Sequence, residues 1–83
     1  MKLLYYAWMR DSMGCDSEQI MLPGEVKNVG MLLDWLPTLD ERFIKAFEYI
    51  DVVLVSVNLH YADRDYPVHD EDEVILSPPI AGG

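Results

Sequence analysis

The sequence predicts a small α+β domain in which a mixed sheet packs against one main helix. Three observations predict it: apolar, strand-like segments near both ends of the chain, one segment of helical periodicity between them, and a length of 83 residues, which leaves room for one core. A domain of this size buries roughly 60% of its unfolded surface, so it folds alone with a small margin of stability.

The first two strands are predicted at the start of the chain. Residues 2–8 are aliphatic and aromatic without Gly or Pro, which is typical of a strand. Residues 9–17 contain Arg, Asp, Ser and Gly, and we expect a loop there. Residues 18–22 alternate in polarity and end at a Pro-Gly pair, so they are predicted to form a hairpin with the first strand.

Helical periodicity then predicts the main helix. Its apolar stripe recurs at i, i+3, i+4 and i+7 and consists of Val29, Leu32, Leu33 and Leu36. Asn28 is the predicted N-cap. Pro37 is predicted to end the helix, because proline disfavours helical geometry in the residue before it.

A second, shorter helix is predicted to follow. Residues 38–41 have the spacing of a capping box, which is typical of a helix N-terminus. The buried side of this helix is predicted to be Phe43, Ile44 and Phe47.

The second half of the chain predicts the remaining strands. Residues 52–57 are nearly continuous β-branched residues, as in a buried strand, and residues 60–62 are predicted to form a short edge strand. Residues 73–77 are the predicted last strand. Because the first and last strands are both apolar, we expect them to lie side by side in the middle of the sheet.

The charge balance excludes several classes of partner. Fifteen acids against six bases give a net charge of −9, which argues against nucleic acid and against an anionic membrane surface. Any protein partner is expected to be basic where the two meet. A single cysteine cannot form an intramolecular disulfide or a structural zinc site, and no apolar run reaches the roughly 18 residues of a membrane span. A cytoplasmic location is the default expectation.

Several other polar or reactive residues are expected to have structural roles. Residues 70–73 are acidic, but lack the spaced ligands of a calcium loop and predict a solvated turn. His60 and His69 are expected to be ordinary surface histidines, Cys15 a loop thiol, and Trp35 a half-buried packing residue.

The end of the chain is its most informative segment. Residues 74–83 carry no charge, and the last six read Pro78-Pro79-Ile80-Ala81-Gly82-Gly83. Successive prolines stop a sheet ladder and favour an extended course, so these six residues reach up to roughly 20 Å. A thin uncharged peptide that ends in an α-carboxylate fits a narrow tunnel in a partner, although chain ends also fray by default. No phosphate-binding loop is present, so any activation of that carboxylate requires another protein.

These features together carry a resemblance to a known family. Arg10 follows an aromatic first strand, Val57-Asn58 closes a later one, and Asp72-Glu73-Val74 precedes the final Pro-Pro-x-x-Gly-Gly. In this the chain resembles the ubiquitin-like β-grasp sulfur carriers, which include the small subunit of molybdopterin synthase and the thiamine-pathway carrier. The resemblance implies a β-grasp domain over residues 1–77 and a carrier tail over residues 78–83.

The resemblance also implies a reaction cycle for molybdenum cofactor biosynthesis. An ATP-dependent enzyme adenylates Gly83, a sulfur relay makes the thiocarboxylate, and the tail enters the large synthase subunit to donate sulfur to a pterin. The chain itself would then be non-catalytic and hold no cofactor, within a heterotetramer of two carriers on a dimeric large subunit. Gly82 would give clearance beside Gly83. The predicted partner contacts are Arg10, Leu76, Pro78, Pro79, Ile80 and Ala81, with Arg10 equally able to pair with an acid at its own sheet end.

Two departures and two alternatives stay open. Glu71 stands where the family's turn usually has glycine, and Leu76 and Ser77 stand where aromatic residues are frequent before Pro-Pro. The alternatives are a sulfur carrier for thiamine or tRNA thiolation, and a ubiquitin-like interaction module or protein modifier.

Overall fold

The structure, a computed structural model, describes residues 1–48 and 53–77 and forms one α+β layer pair. In chain order its elements are β1 (Lys2–Tyr5), α1 (Trp8–Met13), β2 (Ser17–Gln19), α2 (Val29–Leu39), α3 (Glu41–Glu48), β3 (Leu54–Val57), β4 (His60–Tyr61) and β5 (Glu73–Ser77). Within these described residues no helix is long and apolar enough to cross a bilayer.

The five strands form one mixed sheet in the order β2-β1-β5-β3-β4. β1 is antiparallel to β2 and parallel to β5, while β3 is antiparallel to both β5 and β4. The prediction that the first and last strands lie side by side is confirmed. The predicted antiparallel pairing of the first two strands is confirmed as well, but β2 covers Ser17–Gln19 instead of residues 18–22, and helix α1 lies in the connection. β5 is the central strand, at the predicted bounds.

The helices cover one face of this sheet. The strand residues that point towards them are Leu3, Tyr5, Val55, Val57, Val74 and Leu76, each at most 4% exposed. The ring of Tyr5 packs against Phe43 of α3 with 6.2 Å between the ring centroids. Alternate strand residues therefore build the core, as the period-two geometry of a strand requires.

Helix α1 lies where the sequence predicted a strand end and a loop. β1 ends at Tyr5, because Ala7 has a φ of 55° and turns the chain out of the sheet. Met9 and Met13 are four positions apart and buried, so α1 presents one apolar face to the core. Gly14, with a φ of 77°, ends the helix by donating its N–H to the carbonyl of Arg10. The Met spacing followed by glycine was the signal for this helix.

Helix α2 confirms the predicted stripe and cap. The side chain of Asn28 accepts a hydrogen bond from the N–H of Met31 at 2.8 Å. The prediction that Pro37 ends the helix is wrong, because α2 continues to Leu39. Leu36 is fully buried, and its packing outweighs the local preference of a residue before proline.

Helix α3 begins at Glu41, and its N-terminus is capped by Asp40 instead of the predicted Thr38. Asp40 accepts the N–H of Arg42 at 2.9 Å, whereas the hydroxyl of Thr38 binds the carbonyl of Trp35. The prediction that Ile44 is buried is wrong, since its side chain is 54% exposed. The buried stripe of this helix instead runs through Phe43, Ala46 and Phe47, at spacings of three and four.

Strands β3 and β4 form a tight hairpin. Of the predicted residues 52–57, β3 is confirmed over Leu54–Val57; residue 53 precedes the strand, and residue 52 lies outside the described residues. The two turn residues, Asn58 and Leu59, have φ values of 50° and 70°, as a two-residue hairpin turn requires. Asn tolerates this conformation well, but a leucine there is uncommon. The turn directs the chain into the predicted edge strand, which is confirmed as β4.

Candidate functional site

The candidate site is the end of β5, from which the predicted carrier tail continues. Ser77 is paired with Leu54 of β3, and on the other side the N–H of Tyr6 donates to the carbonyl of Leu76 at 3.1 Å. The central strand is thus held from both sides up to its last residue. We call Leu54, Leu76, Ser77 and Tyr6 the tail root.

The predicted tail itself lies outside the described residues. This applies to the carrier residue Gly83, to Gly82, and to the predicted contacts Pro78, Pro79, Ile80 and Ala81. Their roles, and the division of the chain into residues 1–77 and 78–83, stay predictions.

Leu76 requires a correction. The sequence placed it in the partner interface, but its side chain is fully buried in the core of this domain. It lies beside Tyr5 and Val55, its partners in the register of β1 and β5 and of β3 and β5. Because strand residues alternate in direction, a residue next to a predicted interface residue can belong to the core. Leu76 therefore fixes the tail root to the core through its buried side chain.

The sheet face opposite the helices is uncharged near the tail root. The register places Leu4 beside Ile75, and Ile75 beside Ser56. Tyr6, at the root, is 52% exposed. Strand geometry puts Leu4 and Tyr6 on one face, but residues 2–6 have no polarity pattern that distinguishes this face from the other. The charged residues Lys2 and Glu73 are neighbours in the register of β1 and β5, at the other end of these strands.

Arg10 lies in the first turn of α1, next to the tail root. Its N–H donates to the carbonyl of Ala7, one residue after Tyr6. The guanidinium Nε is 3.7 Å from the carboxylate of Asp16, and the two side chains are 56% and 82% exposed. An ion pair this long and this exposed contributes under ~1 kcal/mol, so it does not commit Arg10 to its own domain. Its contact with a partner stays a prediction.

The acidic turn lies at the opposite end of β5 and joins parts of the fold. Asp70 accepts the N–H of Leu22 at 2.8 Å, a hydrogen bond that lowers the pKa of Asp70. Asp72 accepts the N–H of His69 at 2.8 Å and the side-chain amide of Asn58 at 2.9 Å. These carboxylates are acceptors for the surrounding chain, and within residues 1–48 and 53–77 no three metal-binding side chains cluster.

The substitution of glycine by Glu71 is compatible with this turn. In the described part of the chain the non-glycine residues of positive φ are Ala7, Asn58 and Leu59. Glu71 is not one of them, so the turn here does not use the left-handed conformation that favours glycine.

The histidines, the cysteine and the tryptophan that were predicted to have structural roles lie away from the tail root or pack within the domain. His60 and His69 are exposed. Cys15 and Trp35 are half-buried and pack against the core. For Trp35 this confirms the predicted packing role.

Known proteins are similar to this chain over nearly its whole length. The ThiS family matches residues 3–83. The molybdopterin synthase sulfur carrier subunit of Escherichia coli (strain K12) is 29% identical over 82 residues, covering 99% of this chain and 98% of that protein. The subunit of the same name from Dictyostelium discoideum is 30% identical over 84 residues, covering 99% and 94%.

Solved structures agree with the fold. A putative molybdopterin converting factor, subunit 1, from Pyrococcus furiosus superposes with a TM-score of 0.75 at 31% identity, covering 95% of each chain. Two more distant structures share the fold alone. One is small archaeal modifier protein 1 of Haloferax volcanii, at 21% identity and a TM-score of 0.76, covering 96% of this chain and 97% of that chain. The other is a complex of subunits 1 and 2 of the molybdopterin-converting factor of Helicobacter pylori, at 19% identity and a TM-score of 0.63, covering 99% of this chain and 96% of that chain.

These matches confirm the predicted ubiquitin-like β-grasp fold. Because the family match runs from the first strand through the last residue of the sequence, and because relatives of nearly equal length align along it, the chain belongs to the ThiS family.

Proposed function

We propose that this chain is a sulfur carrier for molybdopterin synthesis and that the carboxylate of Gly83 is its carrier site. The observation that carries the proposal is the match of almost the whole chain to two relatives named molybdopterin synthase sulfur carrier subunit. The sequence ends in the Gly-Gly pair that such a role needs, since glycine lets another protein approach the terminal carbonyl closely.

In the proposed cycle the carboxylate of Gly83 first attacks the α-phosphate of ATP on an activating enzyme. Pyrophosphate leaves and an acyl-adenylate forms, which makes the carbonyl carbon electrophilic. The terminal sulfur of a persulfide on a relay protein then attacks this carbon and AMP leaves. A thiol cleaves the S–S bond of the resulting acyl disulfide, which releases the thiocarboxylate and leaves an ordinary disulfide on the relay protein. The chain supplies the atom that carries sulfur, while the catalytic side chains belong to its partners, so the proposed role is that of a non-catalytic subunit.

The proposed acceptor complex is molybdopterin synthase, with the tail inserted into the large subunit. The Helicobacter pylori structure holds subunits 1 and 2 of its molybdopterin-converting factor together, which supports a partner of this kind. The tail root supports the same proposal from within the chain, because a strand bonded on both sides gives residues 78–83 a rigid base. Arg10, beside that base, is the proposed polar contact.

The test is the mass and the activity of the untagged protein. The chain is isolated from cells with an active pathway and its intact mass is measured. A fraction heavier by the exchange of one oxygen for sulfur is expected, and it should disappear when Gly83 is deleted. The matched control is His60→Ala, an exposed position on the edge strand β4 and outside the tail root, which should keep that fraction.

The same variants decide between the proposal and its alternatives. Deleting Gly83 should abolish molybdopterin synthesis in cells that lack their own carrier, and unimpaired synthesis would contradict the proposal. A carrier for thiamine or tRNA thiolation would show the same mass change but would co-purify with a different acceptor enzyme. A protein modifier would instead give Gly83-dependent conjugates of higher mass on a denaturing gel.

A further inference from the structure

Backbone hydrogen bonds between β1 and β5 follow the parallel pattern up to the tail root. The N–H of Lys2 donates to the carbonyl of Asp72 at 3.0 Å, and the N–H of Tyr6 donates to the carbonyl of Leu76 at 3.1 Å. In a parallel ladder the carbonyl of the same residue accepts the N–H that lies two positions further along the partner strand. The carbonyl of Tyr6 would therefore need the N–H of residue 78. Residue 78 is a proline, which has no N–H, so this ladder cannot continue.

The carbonyl of Tyr6 has a partner of another kind. It accepts the N–H of Met9 at 3.2 Å, in the first turn of α1. Ala7, with a φ of 55°, turns the chain between them out of the sheet, and the side chain of Met9 is fully buried in the core. The strand neighbour that residues after 78 would need on the β1 side is thus folded into α1.

The same reasoning applies on the β3 side of the tail root. Asn58 donates its N–H to the carbonyl of Glu73 at 2.8 Å, and antiparallel pairs form such hydrogen bonds at every second position. By this alternation the pair Leu54–Ser77 is also hydrogen-bonded, and the next donor towards β3 would be the N–H of residue 79. Residue 79 is again a proline. Each of the two prolines therefore removes a donor towards a different strand.

We propose that Pro78 and Pro79 are positioning residues that release the tail from the sheet, Pro78 from β1 and Pro79 from β3. The inference rests on the proposed carrier function, in which the carboxylate of Gly83 must reach into a partner. Each residue that stayed paired would shorten that reach by roughly 3.3 Å, and its hydrogen bond would have to break when a partner binds. Replacing either proline by a residue with an N–H should therefore weaken docking without changing the chemistry at Gly83.

Hydrogen exchange in the isolated chain tests the release from β1. Pro78→Ala adds the N–H that the register directs at the carbonyl of Tyr6, and a carbonyl has two lone pairs, so it can accept this N–H beside that of Met9. The new amide should exchange at least about fivefold more slowly than the same amide in a free peptide of residues 75–83, as one net hydrogen bond implies. The carbonyl chemical shift of Tyr6 should move as well.

Pro79→Ala is the matched control, because successive N–H groups of a strand point to opposite sides. It should leave the carbonyl chemical shift of Tyr6 in place. Exchange of the new amide of Pro78→Ala at the free-peptide rate, or an equal shift of the Tyr6 carbonyl in both variants, would overturn the assignment of Pro78 to β1.

Sulfur transfer to the large synthase subunit tests the positioning role. Pro78→Ala, loaded as the thiocarboxylate, should raise the KM for the carrier about fivefold and keep kcat within about twofold, because one hydrogen bond breaks on docking while the tip is unchanged. Replacing Pro78 by N-methylalanine, introduced with a synthetic tail, removes the ring but adds no N–H. This variant should keep the KM of the parent. An equal rise in KM for N-methylalanine would assign the effect to lost ring contacts and overturn the proposal.

The release from the sheet and the carrier function fail separately. The exchange measurement involves no partner, so slowed exchange would support the release even if Gly83 carried no sulfur. If the Gly83-dependent mass change is found and the exchange is not slowed, the carrier function stands and the role given to Pro78 is overturned.

Discussion

One guanidinium nitrogen of Arg42 donates to both carboxylate oxygens of Glu18, at 2.7 and 2.9 Å. The same side chain donates to the carboxylate of Asp40 and to the carbonyl of Met13. Arg42 therefore joins the start of α3, the end of α1 and strand β2. Glu18 in turn accepts the hydroxyl hydrogen bond of Tyr5 at 2.7 Å, so the network reaches the core.

Replacing Arg42 by methionine should lower the free energy of unfolding by about 2–3 kcal/mol, because hydrogen bonds to charged groups are lost and Glu18 is left half-buried beside Tyr5. Urea unfolding measures the change. Arg10→Met is the matched control and should cost under ~1 kcal/mol, because the ion pair of Arg10 is long and exposed. Equal losses in the two variants would contradict the structural role given to Arg42.

Leu76→Ala tests the assignment of this residue to the core. Because the side chain is fully buried, the variant should lose about 2–5 kcal/mol of stability in urea unfolding of the isolated chain. Ser77→Ala, one position further along the same strand, should change stability by less than ~0.5 kcal/mol. If Leu76→Ala were as stable as the parent, the assignment of Leu76 to the core would be wrong and its predicted role as a partner contact would be restored.

Stability should fall in acid through two carboxylates. The N–H of Arg42 lowers the pKa of Asp40, and the N–H of Leu22 lowers the pKa of Asp70. A carboxyl whose pKa is lower in the folded state stabilises the fold above its unfolded pKa of about 4, and this contribution is lost as the pH falls through the folded value. Urea midpoints measured from pH 6 down to pH 2 should therefore decline below about pH 4.

Asp70→Asn supplies the control for this decline. Its amide oxygen still accepts the N–H of Leu22 but does not titrate in this range, so the variant should lose less stability on acidification than the parent. An unchanged slope would mean that Asp70 contributes nothing to the acid response.

Stability should also fall in alkali through Tyr5. Burial raises the pKa of this phenol, and the hydrogen bond to Glu18 raises it further. A raised pKa of this kind gives stability that is complete below the unfolded value of about 10 and is lost as the pH rises above it. Tyr5→Phe should cost about 1 kcal/mol at neutral pH through the lost hydrogen bond, yet decline less between pH 9 and 11. If both proteins declined equally, Tyr5 would not control the alkaline limit.

The sequence predicted those parts of the fold that repeat a pattern over several residues. The stripe of α2, its Asn28 cap and the strand at Glu73–Ser77 are all as expected. The prediction failed where tertiary packing outweighed a local preference. Pro37 stays inside a helix that buried Leu36 holds in place, and α1 forms on the strength of two methionines within a polar stretch.

The candidate site was predictable as chemistry but not as geometry. The uncharged segment and the Gly-Gly end are visible in the sequence, and so is the resemblance that they carry. The direction of each side chain could not be predicted from the sequence, because an apolar strand at the centre of a sheet lacks the alternation of polar and apolar residues that distinguishes its two faces. Leu76 was for this reason assigned to the partner, whereas Tyr6 was overlooked at the root.

The parallel pairing of β1 with β5 has a consequence for how the protein is made. Partners in these strands, such as Leu3 and Val74, are about seventy positions apart, and pairings between such distant segments slow folding. The central strand also follows all the other strands in chain order, so it pairs with β1 only after the segments between them have been synthesised.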